Sequence, residues 1–158
     1  MMSAEHKLSA PTFAARICAS TGADLHACVA TAMPAQSGPM QVGGTTAVEA
    51  LIKALPASLV PEDALPLAAA SGFKGNELPC FGHPLYDDEE PRLAVLLELV
   101  DGLGAHGPDM PKVLALVAGA RQVGQHPNVF ATLVILCKAM ALPNGIGAML
   151  HTMARTSG

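Results

Sequence analysis

Residues Leu78 to Arg92 read LPCFGHPLYDDEEPR, and the rest of the chain is organised around this stretch. Pro79 and Gly82 rule out a continuous helix, so His83 is delivered by an irregular loop with backbone donors to spare. Arg92 follows Pro91, a residue favoured at the first position of a helix, and the spacing predicts a helix from Glu90-Pro91-Arg92 to about Leu103, with Leu93, Leu96, Leu97 and Val100 on one face. A helix N-terminus favours anions, and an arginine there can clamp a carboxylate with two parallel hydrogen bonds. The irregular segment Gly72 to Pro84 is the longest expected loop, and loops on helical scaffolds commonly carry function.

Working outward, the punctuation predicts helices throughout. Ser9 before Ala10-Pro11 reads as a helix start, followed by one helix or two from Pro11 to about Met33, with Ser20-Thr21-Gly22 as the bend or break. Ala19, Ala23, Ala27 and Ala30 would let another helix approach closely. A helix from Ala47 to Leu55 is expected to be capped by Thr45 or Thr46 and stopped by Pro56. Ser58 to Ser71 repeats the pattern, with Pro61-Glu62-Asp63 as an acidic first turn that suits the helix dipole. On the far side, Met110 to Val123, Asn128 to Met140 and Ile146 to about Arg155 complete seven or eight helices. Gly102-Leu103-Gly104 and Gly145-Ile146-Gly147 are too short for a nucleotide fingerprint and read as helix punctuation.

Composition agrees with an all-α chain. Of its 158 residues, 51% are hydrophobic, 14% are charged, and there is no Trp and one Tyr. Alanine and leucine are strong helix formers, and β-branched and aromatic residues are sparse. So low a charge content suggests that apolar surface is buried against a partner. The net charge of −4, with basic residues scattered singly, excludes a nucleic-acid interface of the usual kind. Cys18, Cys28, Cys80 and Cys137 form no CxxC pair and read as reduced, buried thiols; the six histidines show no metal-ligand spacing. The first residues lack a signal-peptide pattern and no apolar run reaches membrane-spanning length, so a soluble, cytoplasmic protein with no membrane association is expected.

The Leu78–Arg92 stretch resembles the segment GFGHxxYxxxDPR of the citrate synthase family. The likeness extends along the chain in order. AEHKLSAPTFAARICASTGADLHACVA is similar to ADHELNASTFTARVVASTGADLYSAV, SGPMQVGGTTAVEAL to GPLHGGANEAVLEML, and PNVFATLVILCKAMALPNGIGAMLHTMARTSG to PNVDFYSGILLKAMGIPxxMFTxLFAMARTVG. The resemblance implies an all-α, multi-helical citrate synthase-like fold over residues 1–158, comprising the small domain plus part of the large domain. It also implies a homodimer whose interface uses the Pro11–Met33 region and the later part of the chain. It covers only the later part of a citrate synthase.

Carried over position by position, the resemblance assigns oxaloacetate binding to His6, His83, Arg92 and Arg155, with His83 polarising the carbonyl. These imply a di- or tricarboxylate half-site, closed in the family by an arginine of the partner subunit that would lie beyond Gly158. The acetyl-CoA side differs. Enolising a thioester needs a base at the methyl group and a donor at the thioester oxygen; the family supplies the aspartate of PNVD and the histidine of GPLHG, where this chain has Phe130 and Gln41. Glutamine can still donate a hydrogen bond, but phenylalanine accepts no proton, and losing a positioned base costs on the order of a hundred to ten thousand fold. No acidic residue follows Phe130, and the nearest before it is Asp109, so no local slip in alignment restores one. Asp87-Asp88-Glu89-Glu90 stands where the family usually has a basic residue and would repel a CoA phosphate.

Three readings follow: a citrate synthase-like protein that binds a small carboxylate without the usual turnover; an acyl-CoA-dependent acyltransferase or lyase acting on an altered substrate, with a coenzyme A thioester as co-substrate; and a fragment that keeps the fold alone. No metal and no covalently bound cofactor are expected in any of them.

Overall fold

The computed structural model describes residues 8–72, 78–82, 91–103 and 107–156. Eight α-helices run through them: α1 Ala10–Ser20, α2 Leu25–Gln36, α3 Gly44–Ala54, α4 Pro61–Ala70, α5 Pro91–Leu103, α6 Met110–Gln122, α7 Val129–Ala139 and α8 Ile146–Arg155. Among the described residues the only β pairing is an isolated bridge between Phe81 and Pro127. The expected all-α class holds, and the region from Pro11 to Met33 is two helices broken at Thr21 and Gly22. Gly22 has φ of 82°, and Asp24 caps α2 by accepting from Ala27 N at 2.9 Å, the N-terminal satisfaction that an aspartate supplies well.

Three boundaries differ from the expected ones, each for a local reason. Helix α2 continues past Met33 through Pro34 to Gln36. Helix α4 starts at Pro61, with Val60 and not Ser58 at the cap position, and keeps Glu62 and Asp63 in its first turn. Helix α3 starts at Gly44, so neither Thr45 nor Thr46 is its cap. The turn before it is already helical at Gly43 (φ −59°, ψ −24°), and Thr45 turns its hydroxyl back to donate to the Val42 carbonyl at 2.6 Å. A Cβ on Gly43 would fall 2.1 Å from the Ser37 carbonyl oxygen, so only glycine lets this turn close on itself.

Helix α7 is the axis of the packing. Ala131 to Ile135 are all buried, as expected of a helix that is apolar all round, and α3, α5, α6 and α8 each lie against it. The core joins Val48, Leu51 and Ile52 of α3 to Leu116 of α6 and Val134 of α7. Helices α4 and α6 pack closely enough that a Cβ at Gly119 would lie 2.3 Å from the Pro61 carbonyl oxygen and 3.1 Å from Ala64 Cβ. In an open helix, replacing glycine by alanine stabilises by roughly 0.5–1 kcal/mol. Here the clash is with backbone, and overpacking costs about 1–3 kcal/mol. Gly119→Ala is therefore expected to lower the urea midpoint; a raised midpoint would contradict this close crossing.

Helices α1 and α2 pack on each other and leave Phe13, Ile17, Leu25, Val29 and Met33 exposed. No described helix is long and apolar enough to cross a membrane.

Candidate functional site

The site is built on an interlock of three turns. Residues 78–82 lie along the segment that precedes α7: Leu78 N donates to Gln125 Oε1 at 3.0 Å, Gly82 N to the His126 carbonyl at 2.7 Å, and Asn128 N to the Cys80 carbonyl at 2.9 Å. Asn128 adds Nδ2 to the Gly82 carbonyl at 3.4 Å. To follow this path the chain takes left-handed backbone at Cys80 (φ 62°) and Gly82 (φ 82°). Non-glycine residues reach that region at a cost, and they persist there only when surrounding contacts hold them. The third turn, 41–44, closes against the first, because a Cβ on Gly44 would sit 2.5 Å from Cys80 Sγ. Burial pushes the Cys80 thiol up to about 12, so it stays protonated and serves as packing.

Two of the family-derived positions, Gln41 and Phe130, lie on or next to these turns. Gln41, half-buried, lies in the turn whose carbonyl at 41 accepts from Gly44 N at 3.0 Å. Residue 82, at the stem's end, immediately precedes His83 in the chain. Phe130 is the second residue of α7, and its amide donates to Asn128 Oδ1 at 3.0 Å. Asn128 also accepts from Ala131 N at 3.4 Å, so this helix N-terminus is occupied by its own cap. The Phe130 ring meets the imidazole of His151 on α8 edge to face, with centroids 4.7 Å apart and planes at 65°. Arg155 lies one turn further along α8, on the same side as His151, since residues four apart share a helix face.

Arg155 is half-buried, and its Nη2 donates to Ser9 Oγ at 2.5 Å, which joins the end of α8 to the residue before α1. Arg92 is half-buried in the first turn of α5, and α5 lies against α7. Thus Gln41 lies in the turn that closes against Cys80, Phe130 lies in the first turn of α7 against His151, Arg155 is bonded to Ser9, and Arg92 is on a helix packed against α7. His6, His83 and Asp87 to Glu90 lie outside the described residues. Among those described, no group of three His, Cys, Asp or Glu could hold a metal ion.

Two residues escaped the reading of the sequence. Asn128 was legible as a helix start but not as the clip that binds residues 78–82. His151 was one histidine among six, yet the ungapped segment ending in ARTVG sets it opposite a phenylalanine, and that exchange was the available signal. Asn128→Ala is expected to cost about 1–2 kcal/mol, the range for a lost N-cap, read as a lower melting temperature. Asn128→Asp keeps an acceptor oxygen for both amides and loses only the donor to Gly82, so it should recover most of that stability. Equal losses in the two variants would mean that the clip, not the cap, carries the effect.

With this geometry in hand, the likeness to known proteins is specific. The sequence profile described as "Citrate synthase, C-terminal domain" matches residues 1–158. The protein called "Putative citrate synthase 2" in Mycobacterium tuberculosis is 37% identical over 161 residues, covering 98% of this chain and 42% of that protein. The 2-methylcitrate synthase of Shewanella oneidensis is 36% identical over 107 residues, covering 67% of this chain and 28% of the relative. Among solved structures, citrate synthase from Thermoplasma acidophilum, in ternary complex with carboxymethyl coenzyme A and oxaloacetate, superposes with a TM-score of 0.80 at 22% identity, covering 99% of this chain and 43% of that one. Citryl-CoA lyase from Hydrogenobacter thermophilus does so with a TM-score of 0.79 at 21% identity, covering 98% of this chain and 60% of the other. At such identities the superpositions establish the fold. The chain spans less than half the length of the curated relatives it matches.

Proposed function

This chain belongs to the citrate synthase family, matching its C-terminal domain along the whole sequence, and from that premise we propose that it binds a small di- or tricarboxylate of the oxaloacetate or citrate type without the family's usual condensation. The observation that carries the reading is the pairing at the head of α7 and the end of α8. Phe130, which cannot take a proton, occupies the position of the family's base, while Arg155 remains one helical turn from the imidazole that touches it. Arg92 supplies a second permanent cation in the first turn of α5. By the resemblance, His6 and His83 complete the carboxylate half-site, with His83 donating to the ligand's carbonyl oxygen. Two guanidinium groups provide the charge-assisted, bidentate hydrogen bonds that recognise carboxylates.

Isothermal calorimetry with oxaloacetate and with citrate tests this reading, together with the shift in melting temperature that any ligand of the native state must produce. Saturable binding of either acid is the expected result. No heat and no stabilisation by either would leave only a chain that keeps the fold.

A second reading is an acyl-CoA-dependent acyltransferase or lyase acting on an altered substrate. It draws support from Gln41, which can still donate to an enolate oxygen, and from relatives named as 2-methylcitrate synthase and citryl-CoA lyase. Mixing acetyl-CoA with oxaloacetate and following free thiol release separates the two; release above background would favour turnover.

The exposed apolar row of Phe13, Ile17, Leu25, Val29 and Met33 supports a homodimer formed through α1 and α2, since contiguous apolar surface of this kind marks an interface. Paired Ile17→Glu and Val29→Glu substitutions are expected to yield monomers in sedimentation velocity while wild type sediments as a dimer. A wild-type monomer would contradict this assembly. A cytoplasmic setting fits the free thiols at all four cysteines.

A further inference from the structure

Helices α1 and α2 meet along a seam of small side chains, and two cysteines lie in that seam close to the bend between them. On α1 the less exposed positions include Pro11, Ala15 and Cys18; on α2 they include Cys28, Ala32 and Ala35. Each set follows the four- and three-residue spacing of one helix face. The two helices pack more extensively on each other than any other pair does, so these are the faces they turn together. Cys18 is the third residue from the end of α1 and Cys28 the fourth of α2, which sets them at matching distances from the bend.

The bend is firmly held. Thr21 N and Oγ1 both donate to the Cys18 carbonyl, at 3.1 Å and 2.7 Å, and Asp24 caps α2 from the other side. Cys28 Sγ donates to the Ala23 carbonyl at 3.7 Å, and the Cys28 thiol is hydrogen-bonded with the thiol of Cys18. Both cysteines are free. The family segment ADHELNASTFTARVVASTGADLYSAV has valine and alanine at these two positions, so packing alone does not call for sulfur at either.

We propose that Cys18 and Cys28 are a redox-responsive thiol pair, which a low-molecular-weight disulfide converts into an intrachain disulfide that staples α1 to α2. The pair is independent of the carboxylate site. It also lies on the seam, apart from the exposed row of Phe13, Ile17, Leu25, Val29 and Met33.

The exchange takes two steps. Cys18 is half-buried and Cys28 is buried, so the reagent meets Cys18 first. The Cys18 thiolate attacks one sulfur of the reagent, breaks its disulfide and expels one thiolate, leaving a mixed disulfide on Cys18. The Cys28 thiolate then attacks Cys18 Sγ and expels the second thiolate. Two protein thiols are oxidised, one reagent disulfide is reduced to two thiols, and the two protons pass from the protein to the released thiols. Burial first, then the hydrogen bond and charge of Cys18, then the Asp24 charge, hold the Cys28 thiol above its ordinary range. Closure is therefore the slow step near neutral pH, and the thiols stay reduced at rest in a reducing setting, where disulfides form transiently.

Glutathione disulfide added to the whole, reduced chain at about pH 8 is expected to remove the mass of two hydrogen atoms, with no glutathione retained. Proteolysis on the N-terminal side of Asp24 should then give two fragments that part only on reduction. Cys28→Ala should stop at the mixed disulfide on Cys18, and Cys18→Ala should leave Cys28 unmodified. Closure of the mixed disulfide should run about tenfold faster for each unit of pH below the Cys28 range, because only the thiolate attacks. The oxidised chain is expected to melt about 5–10 °C above the reduced one, a shift that dithiothreitol reverses and that Cys18→Ala lacks. Glutathione retained on Cys18 in wild type, a disulfide between two chains, a loss of two hydrogens that persists in Cys18→Ala, or no reaction in wild type would each overturn the pair. All four outcomes would leave the carboxylate reading standing.

Discussion

In Arg155→Ala, calorimetric titration with oxaloacetate is expected to show affinity about a hundredfold or more below wild type. A hydrogen bond to a charged group contributes roughly 1.5–3 kcal/mol, a guanidinium makes two of them to one carboxylate, and about 1.4 kcal/mol corresponds to tenfold in affinity. Arg155→Lys keeps the charge but not the planar fork, so it should recover part of the loss and no more. Arg155 also donates to Ser9 Oγ, which makes a purely structural role the competing explanation. Ser9→Ala separates the two. Removing that hydroxyl should lower stability slightly and leave oxaloacetate affinity unchanged, whereas a structural arginine would predict parallel effects in both variants. Arg92→Ala is expected to behave like Arg155→Ala. Wild-type affinity in both alanine variants would remove the cationic basis of the proposed site.

The largest expected change in stability is at Leu51. It is 1% exposed and belongs to the core cluster that joins α3 to α6 and α7. Leucine-to-alanine replacements at such positions cost about 2–5 kcal/mol, the transfer term plus the cavity left behind. A whole domain is stable by only about 5–15 kcal/mol, so Leu51→Ala should unfold at a much lower urea concentration. The turn at 41–44 is attached directly to α3, so the same variant should also weaken carboxylate binding. A loss below about 1 kcal/mol would mean that the surroundings collapse onto the vacancy. Leu51→Met, nearly equal in volume, should cost less than about 1.5 kcal/mol.

Helix content was largely legible because its determinants are local. Ser9, Pro61 and Asn128 mark starts, Pro56 and Gly145 mark limits, and the apolar spacing of Leu93, Leu96 and Val100 is that of a buried helix face. The errors have the same origin. The threonines before Ala47 are good caps in isolation, but the turn at 37–44 is already wound by contacts between Gly43 and Ser37 that are not written in any cap motif. Similarly, a proline near the end of α2 is tolerated because only the last turn is affected.

The candidate site was legible in part. Motif likeness nominated His6, Gln41, His83, Arg92, Phe130 and Arg155 and set a phenylalanine opposite the family's aspartate. It did not show that Asn128 clips residues 78–82, that Cys80 takes left-handed backbone against Gly44, or that Phe130 lies on His151.

By itself, then, the amino-acid sequence determined the family, the helical class, most helix boundaries and the identity of the replaced residues, because capping, periodicity and side-chain type act over a few neighbouring positions. Only the tertiary structure decided which of those residues act together. The contact between Phe130 and His151 joins positions 21 apart in the chain, and the bond from Arg155 to Ser9 joins positions 146 apart. Contacts at that separation are selected by packing around α7, where burial of one apolar axis leaves each surrounding helix a single face to turn inward.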